Sequence, residues 1–271
     1  MSDELSNPPG ESNTRPLSNI LAFHKLSPHL SFGSTNYSPT RFQKLFDRLL
    51  TGGYEPSTIE NVIARPGERT VAVCFDDGYA HLVDTLLPLL DRFHFVPTVF
   101  VPTGYIGKTN TWDYSHAFRK EKHLRAEDIR LLAGKGVSFG SHGHSHVDLT
   151  SLSMRQLKAE LTESKAILED ILGTGVSTIS YPFGRCSDAI LDIAAEVGYQ
   201  CGFTMAYPEY GDEPLARGRY PVYFYDSWRS VLRKLQQGRG KHGGFEQLRD
   251  RLTNGLSGGT ILLNRLRRFP G

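Results

Sequence analysis

The sequence predicts an α/β fold whose parallel strands close, or nearly close, into a barrel of about seven. Two observations carry this. From Asn19 onward, short unbroken apolar runs alternate with segments of helical period, and four of those runs end on polar, titratable or Gly/Pro-shaped residues. A length of 271 residues suits one barrel, since such barrels commonly run to roughly 250 residues.

The runs are Ile20–Phe23, Thr70–Phe75, Pro97–Val101, Val137–Gly140, Thr178–Tyr181, Gln200–Thr204 and Thr260–Leu263. They are short, partly β-branched and lack polar alternation, as strands buried on both faces do. Between them, Ser38 reads as an N-cap with Pro39 at the first helical position. Phe42, Leu45, Phe46 and Leu49 then follow at i, i+3, i+4 and i+7. Ser153 starts a second helix, with Met154, Leu157, Leu161, Leu168 and Ile171 on one stripe and Gly173 past its end. Ser187 starts a third, with Ile190, Ile193, Ala194 and Val197 inward and Gly198 closing it. Residues 1–18, rich in Pro and Ser, read as a disordered leader. Residues 19–271 read as a single domain, with long Gly- and charge-rich loops at 205–219 and 236–244.

Composition narrows the partners. Lys plus Arg number 31 against 29 Asp plus Glu, a net charge of +2. So small a balance makes no case for nucleic acid or an anionic membrane. No window approaches about 18 consecutive apolar residues, so no transmembrane segment is expected. The polar N-terminus does not resemble a secretory signal. Cys74, Cys186 and Cys201 are scattered and odd in number, which predicts free thiols and, with the missing signal, a cytoplasmic location. Nothing in the sequence indicates an oligomeric state.

The chemistry lies where the strands end. His24 follows the first run, Asp76-Asp77-Gly78 the second, Ser141-His142-Gly143-His144-Ser145-His146 the fourth, and Pro182-Phe183-Gly184-Arg185 the fifth. In a parallel barrel these ends meet at one mouth. Two adjacent carboxylates at a buried strand end are costly unless neutralised, although Asp-Gly alone also fits a plain turn. The imidazoles of His142, His144 and His146, off any apolar stripe, favour a metal site. One carboxylate and two imidazoles leave an open position on a divalent ion, which brings bound water toward a pKa of about 7. Neighbouring strand residues face opposite ways, so the second Asp is free to act as base.

Val73-Cys74-Phe75-Asp76-Asp77-Gly78 resembles the first motif of the polysaccharide deacetylases, the NodB-homology or carbohydrate esterase family 4 group. The run Ser141 to His146 resembles their second motif (a His, three residues, a His), and Tyr181-Pro182-Phe183-Gly184 resembles the third. The likeness extends from about Ile20 to Leu263. It implies a distorted (β/α)7 barrel, related to the TIM barrel, and metal-dependent removal of N-acetyl groups from an N-acetylated oligo- or polysaccharide. By the same resemblance Asp77, His142 and His146 are the metal ligands, and Asp76 is the general base on metal-bound water. The backbone N–H of Phe183 stabilises the oxyanion beside the metal. The family implies zinc, and a His2Asp set also accepts Co2+, Ni2+ or Mn2+.

Several positions depart from the family pattern. Asn264 stands in the late motif where the acid His is expected. Leu21-Ala22-Phe23-His24, however, resembles the opening of a branch related to the poly-N-acetylglucosamine deacetylases, in which the first strand supplies that His. First and last strands of a barrel are neighbours, so His24 is assigned as the acid. Ser180 replaces the usual Arg of the third motif, leaving Arg185 as a candidate cation for Asp76. Gly143 replaces a common Ser or Thr, and His144 reads as loop surface rather than a ligand. Tyr105, Trp112 and Tyr114 read as loop packing, with a sugar-stacking wall as the alternative. Cys74 reads as a small core residue pointing away from the mouth. Two rivals stay open: a related C–N hydrolase acting on a small amide, and a sugar-binding relative that has lost its acid.

Overall fold

The computed structural model describes residues 19–28, 35–111, 121–205 and 213–237. The predicted leader, Trp112, Tyr114, the run Thr260–Leu263 and Asn264 lie outside the described residues.

In chain order, β1 (Ile20–Phe23) leads into a small parallel pair, β2 (Lys25–Leu26) and β3 (Asn36–Tyr37). Then come α1 (Pro39–Thr51), β4 (Glu55–Pro56), α2 (Ile59–Ala64), β5 (Thr70–Phe75), α3 (Leu82–Phe93) and β6 (Thr98–Val101). The second half holds α4 (Ala126–Ala133), β7 (Ser138–Ser141), α5 (Met154–Leu172), β8 (Thr178–Ser180), α6 (Asp188–Val197) and β9 (Cys201–Thr204). It ends with β10 (Arg217–Gly218), β11 (Tyr220–Pro221) and α7 (Trp228–Gln237). The predicted caps form. Ser38 Oγ accepts from the Arg41 N–H, Ser153 and Gln156 make a reciprocal capping box, and Gly173 and Gly198 close α5 and α6.

The main sheet runs β10-β9-β8-β7-β6-β5-β1-β11, and every pairing in it is parallel. Its two ends, β10 and β11, are separated in the chain by Arg219 alone. They are the halves of one broken strand that pairs with β9 on one side and β1 on the other. That makes seven staves around a closed path, the (β/α)7 count. The closing stave thus lies at 217–221, largely within a stretch read from its Gly and charge as a loop, and not at 260–263. Its central inward residue is an arginine, which hides the strand from a hydrophobicity pattern.

Strand alternation sorts the core into two layers. Val71, Val73 and Phe75 on β5 face outward and join the helix faces, including Phe42, Leu45, Phe46 and Leu49 of α1. Phe42 and Phe46 stack at 4.6 Å, and Phe23, Phe75, Phe93 and Phe95 pack around them. Ala72 and Cys74 face the barrel interior with Ile20, Ala22, Phe100 and Phe203. Small residues there leave room for a large polar side chain, and Arg219, fully buried, occupies it. All three cysteines are free thiols. Among the described residues no helix is long and apolar enough to cross a membrane.

Candidate metal centre

Asp77, His142 and His146 converge. One donor atom from each lies within 4.8 Å of the others, and all three residues are buried. Asp77 follows β5, and the two histidines flank the loop after β7; the two strands lie on either side of β6 and run parallel, so both deliver their residues to the same end of the barrel. Asp77 Oδ1 stands 3.5 Å from His142 Nε2 and 3.2 Å from His146 Nε2. Ligand bonds of about 2.0–2.2 Å at a tetrahedral angle place donor atoms roughly 3.3–3.6 Å apart. His142 Nδ1 donates to the Ser180 carbonyl at 2.6 Å, which fixes the tautomer and leaves the Nε2 lone pair facing Asp77. Asp77 Oδ1 is buried without a hydrogen-bond donor. Spacing, tautomer and this orphaned oxygen fit a divalent cation.

The backbone is bent to reach this arrangement. Of the four non-glycine residues with positive φ among the described residues, three are here: Asp77 (71°), His146 (50°) and Phe183 (60°). Such conformations cost of order 1–3 kcal/mol each and cluster at functional sites. Burial would raise the Asp77 pKa, but the facing imidazoles of His142 and His146 outweigh it and hold the carboxyl well below the usual range. His123 supports the same residue. Its Nδ1 donates to the Asp77 carbonyl at 2.7 Å, its ring stacks on Tyr79, and burial brings its pKa down to about 4.

Asp76 continues the inward alternation of Cys74 and meets Arg219. The guanidinium donates to Oδ1 at 2.8 Å and to Oδ2 at 2.9 Å, a bidentate pair inside the barrel. Ser180 Oγ accepts from Arg219 at 2.9 Å and donates to Asp76 Oδ2 at 3.3 Å. Arg219 also lies over the Phe100 and Phe203 rings and donates to Cys74 Sγ at 3.1 Å. Burial pushes the Asp76 pKa up, but Arg219, aided by His142 and His24, brings it below the ordinary value. Cys74 is a core residue as predicted, but it points into the barrel beneath Asp76, where burial pushes its thiol up to about 12.

The candidate cation Arg185 does not serve Asp76. Arg185 pairs with the buried Asp148 at 3.3 Å, and Asp76 takes Arg219 instead. Sequence reasoning missed Arg219 because it sits in no apolar run; the Ser180 substitution was the one signal that a cation had to come from elsewhere. His24 ends β1 half-buried, close enough for its charge to act on Asp76, Asp77 and His146. Phe183 packs its ring edge-on against His146 at 5.0 Å, and its backbone N–H donates to nothing among the described residues. His144 turns away from the triad, as expected of a non-ligand. Its Nδ1 bonds Thr103 Oγ1 at 3.0 Å and its carbonyl accepts from the Gly104 N–H at 2.8 Å. Tyr105 packs in its loop against His123 and bonds Thr111.

The chain is similar to known proteins in sequence and in fold. The polysaccharide deacetylase family model matches residues 64–202, just over half of the chain. The Bacillus subtilis (strain 168) protein YxkH, whose name assigns it to the polysaccharide deacetylases, is 28% identical over 191 residues, 68% of this chain and 63% of YxkH. The poly-β-1,6-N-acetyl-D-glucosamine N-deacetylase of Staphylococcus aureus (strain MRSA252) is 24% identical over 147 residues, covering 51% of this chain and 48% of that protein. The chain therefore spans between about half and two thirds of these relatives. Two solved structures share the fold. Streptococcus pyogenes deacetylase PplD, in complex with acetate, has a TM-score of 0.69 at 22% identity, covering 82% of this chain and 99% of PplD. IcaB from Ammonifex degensii has a TM-score of 0.68 at 21% identity, covering 82% of this chain and 97% of IcaB. The motif residues, the seven-stave barrel and the extent of the family match agree: this chain belongs to the polysaccharide deacetylase family.

Proposed function

We propose that this chain is a metal-dependent hydrolase that removes N-acetyl groups from an N-acetylated oligo- or polysaccharide. The observation that carries the reading is the pairing of two unlike carboxylates. Asp77 faces two imidazoles at ligand spacing, while its neighbour Asp76 is held as an anion by Arg219. A binding module has no use for the second carboxylate. A divalent ion held by Asp77, His142 and His146 supplies Lewis acidity toward the acetamide carbonyl and lowers the pKa of a water; zinc is the first choice, with Co2+, Ni2+ or Mn2+ also accepted by this donor set.

The remaining steps fall to the protein. Asp76, anionic at neutral pH, accepts the proton of the attacking water. Attack on the carbonyl carbon makes a tetrahedral oxyanion, to which the uncommitted Phe183 N–H donates. Collapse needs a proton on the departing amine nitrogen, and His24 supplies it from β1. The C–N bond breaks, giving acetate and the free amine. The S. aureus relative is named for poly-β-1,6-N-acetyl-D-glucosamine, and this supports a β-linked N-acetylglucosamine polymer as the first substrate to test. The test is acetate release from N-acetylglucosamine oligomers of increasing length, beside a simple N-alkylacetamide. Turnover that rises with chain length supports the saccharide reading. Turnover of the small amide alone transfers the site to the rival C–N hydrolase class.

A further inference from the structure

We propose that Glu160 is the positioning residue of the His142–His146 loop, an inference that rests on the metal-binding reading above. Glu160 lies on α5 and is 9% exposed. Its Oε1 accepts the backbone N–H of His144 at 2.8 Å and of Ser145 at 2.6 Å, and its Oε2 accepts the Ser145 hydroxyl at 2.8 Å. Among the described residues no basic side chain pairs with it, so the charge is met by loop donors alone. A desolvated carboxylate persists only when its oxygens are well satisfied, so carboxylate and loop hold each other.

The position of these bonds gives them their purpose. His144 and Ser145 are two of the three residues between His142 and His146. Fixing their peptide planes fixes the separation of the two imidazoles and supports the left-handed φ of His146 (50°). Gly143 explains itself here. Its φ is 74°, and a Cβ at that position would stand 3.1 Å from Glu160 Oε1, so the residue that departs from the family's Ser or Thr leaves space for the carboxylate. One turn further along α5, Ser164 Oγ donates to the Gly143 carbonyl at 2.9 Å and bonds Ser141 Oγ at 2.7 Å. The same helix face thus grips the loop at both ends, with Glu160 as the charged point of contact.

The test uses chelator-treated protein titrated with Co2+, whose visible absorption reports both affinity and coordination geometry. Glu160→Ala is expected to weaken Co2+ binding by about 10- to 100-fold and to alter the spectrum, as removal of outer-shell support does. Glu160→Gln keeps Oε1 for the two N–H groups, and its amide can donate to the Ser145 hydroxyl, so it should bind close to the parent. Glu160→Asp keeps the charge but shortens the reach by one methylene, and should fall with Ala. If Glu160→Ala does not fold, the Gln and Asp variants decide the matter between them. The proposal is overturned if the Asp or Ala variant binds Co2+ with the parent's affinity and spectrum, or if Gln falls as far as Asp. A parent that itself binds no Co2+ overturns the metal reading beneath it, a distinct outcome.

Discussion

Replacing Arg219 with Met removes the guanidinium while keeping much of the apolar stem, and the geometry around Asp76 sets the size of the loss. Arg219 and Asp76 are buried and joined by two bonds of 2.8 and 2.9 Å. Deleting one partner of such a pair strands a buried charge and costs about 3–5 kcal/mol. At about 2–4 °C per kcal/mol for a domain of this size, Tm should fall by roughly 6–20 °C near neutral pH. The sign with pH is also determined. In the parent, Asp76 titrates below its unfolded value, so it adds stability above about pH 4 that is lost as pH falls through its folded pKa. In the variant the largest force opposing burial is gone, with only the weaker pull of His142 and His24 left, and the folded pKa rises above the unfolded one. Asp76 then opposes folding at neutral pH and is relieved as pH falls through the raised pKa. Thermal unfolding of chelator-treated parent and variant, from about pH 5 to about pH 8, should show a deficit that shrinks toward acid. Adding Asp76→Asn to the Met variant should recover most of the loss. A deficit of equal size across that range, or none, would refute the placement of Arg219 as the counter-ion of Asp76.

Two further outcomes are expected of the site. His24→Ala should retain the parent's metal content, since His24 lies outside the ligand triad, and lose turnover by about 10²- to 10⁴-fold, the usual worth of a positioned acid; metal analysis beside steady-state acetate release checks both. Gly184→Ala should unfold at lower temperature, because φ is 66° there and the added Cβ would fall within 2.8 Å of the Met205 backbone nitrogen; thermal unfolding reads this directly.

How much of this was legible in the sequence depended on what each strand buries. The first six runs formed strands because their residues are apolar on both faces, and their C-terminal ends delivered His24, Asp76, Asp77, His142, His146 and Phe183 to the same end of the barrel. The closing stave escaped because Arg219, a charged residue, is its central inward side chain, and only a partner carboxylate makes that burial tolerable. Asp77, His146 and Phe183 adopt left-handed backbone conformations that their residue types disfavour. Local preference could not announce these bends, and the surrounding structure imposes them. Glu160 was invisible for a related reason. On α5 it reads as one more charged position on an amphipathic helix, and its role appears only when the loop after β7 lies against it. α3 is hidden in the sequence by Pro88 in its interior and by an N-cap, His81, that makes no side-chain capping bond, whereas α7 carries a legible start, with Ser227 Oγ accepting from the Ser230 N–H.

The proposed chemistry depends above all on one divalent ion held by Asp77, His142 and His146. Reconstitution probes that dependence without intermediaries: chelator-stripped protein receives Zn2+ in steps while acetate release from N-acetylglucosamine oligomers is followed. The expected result is no release without metal, a rise that levels at one ion per chain, and no such rise in His142→Ala. Full release from stripped protein, or an unchanged response in His142→Ala, would contradict it.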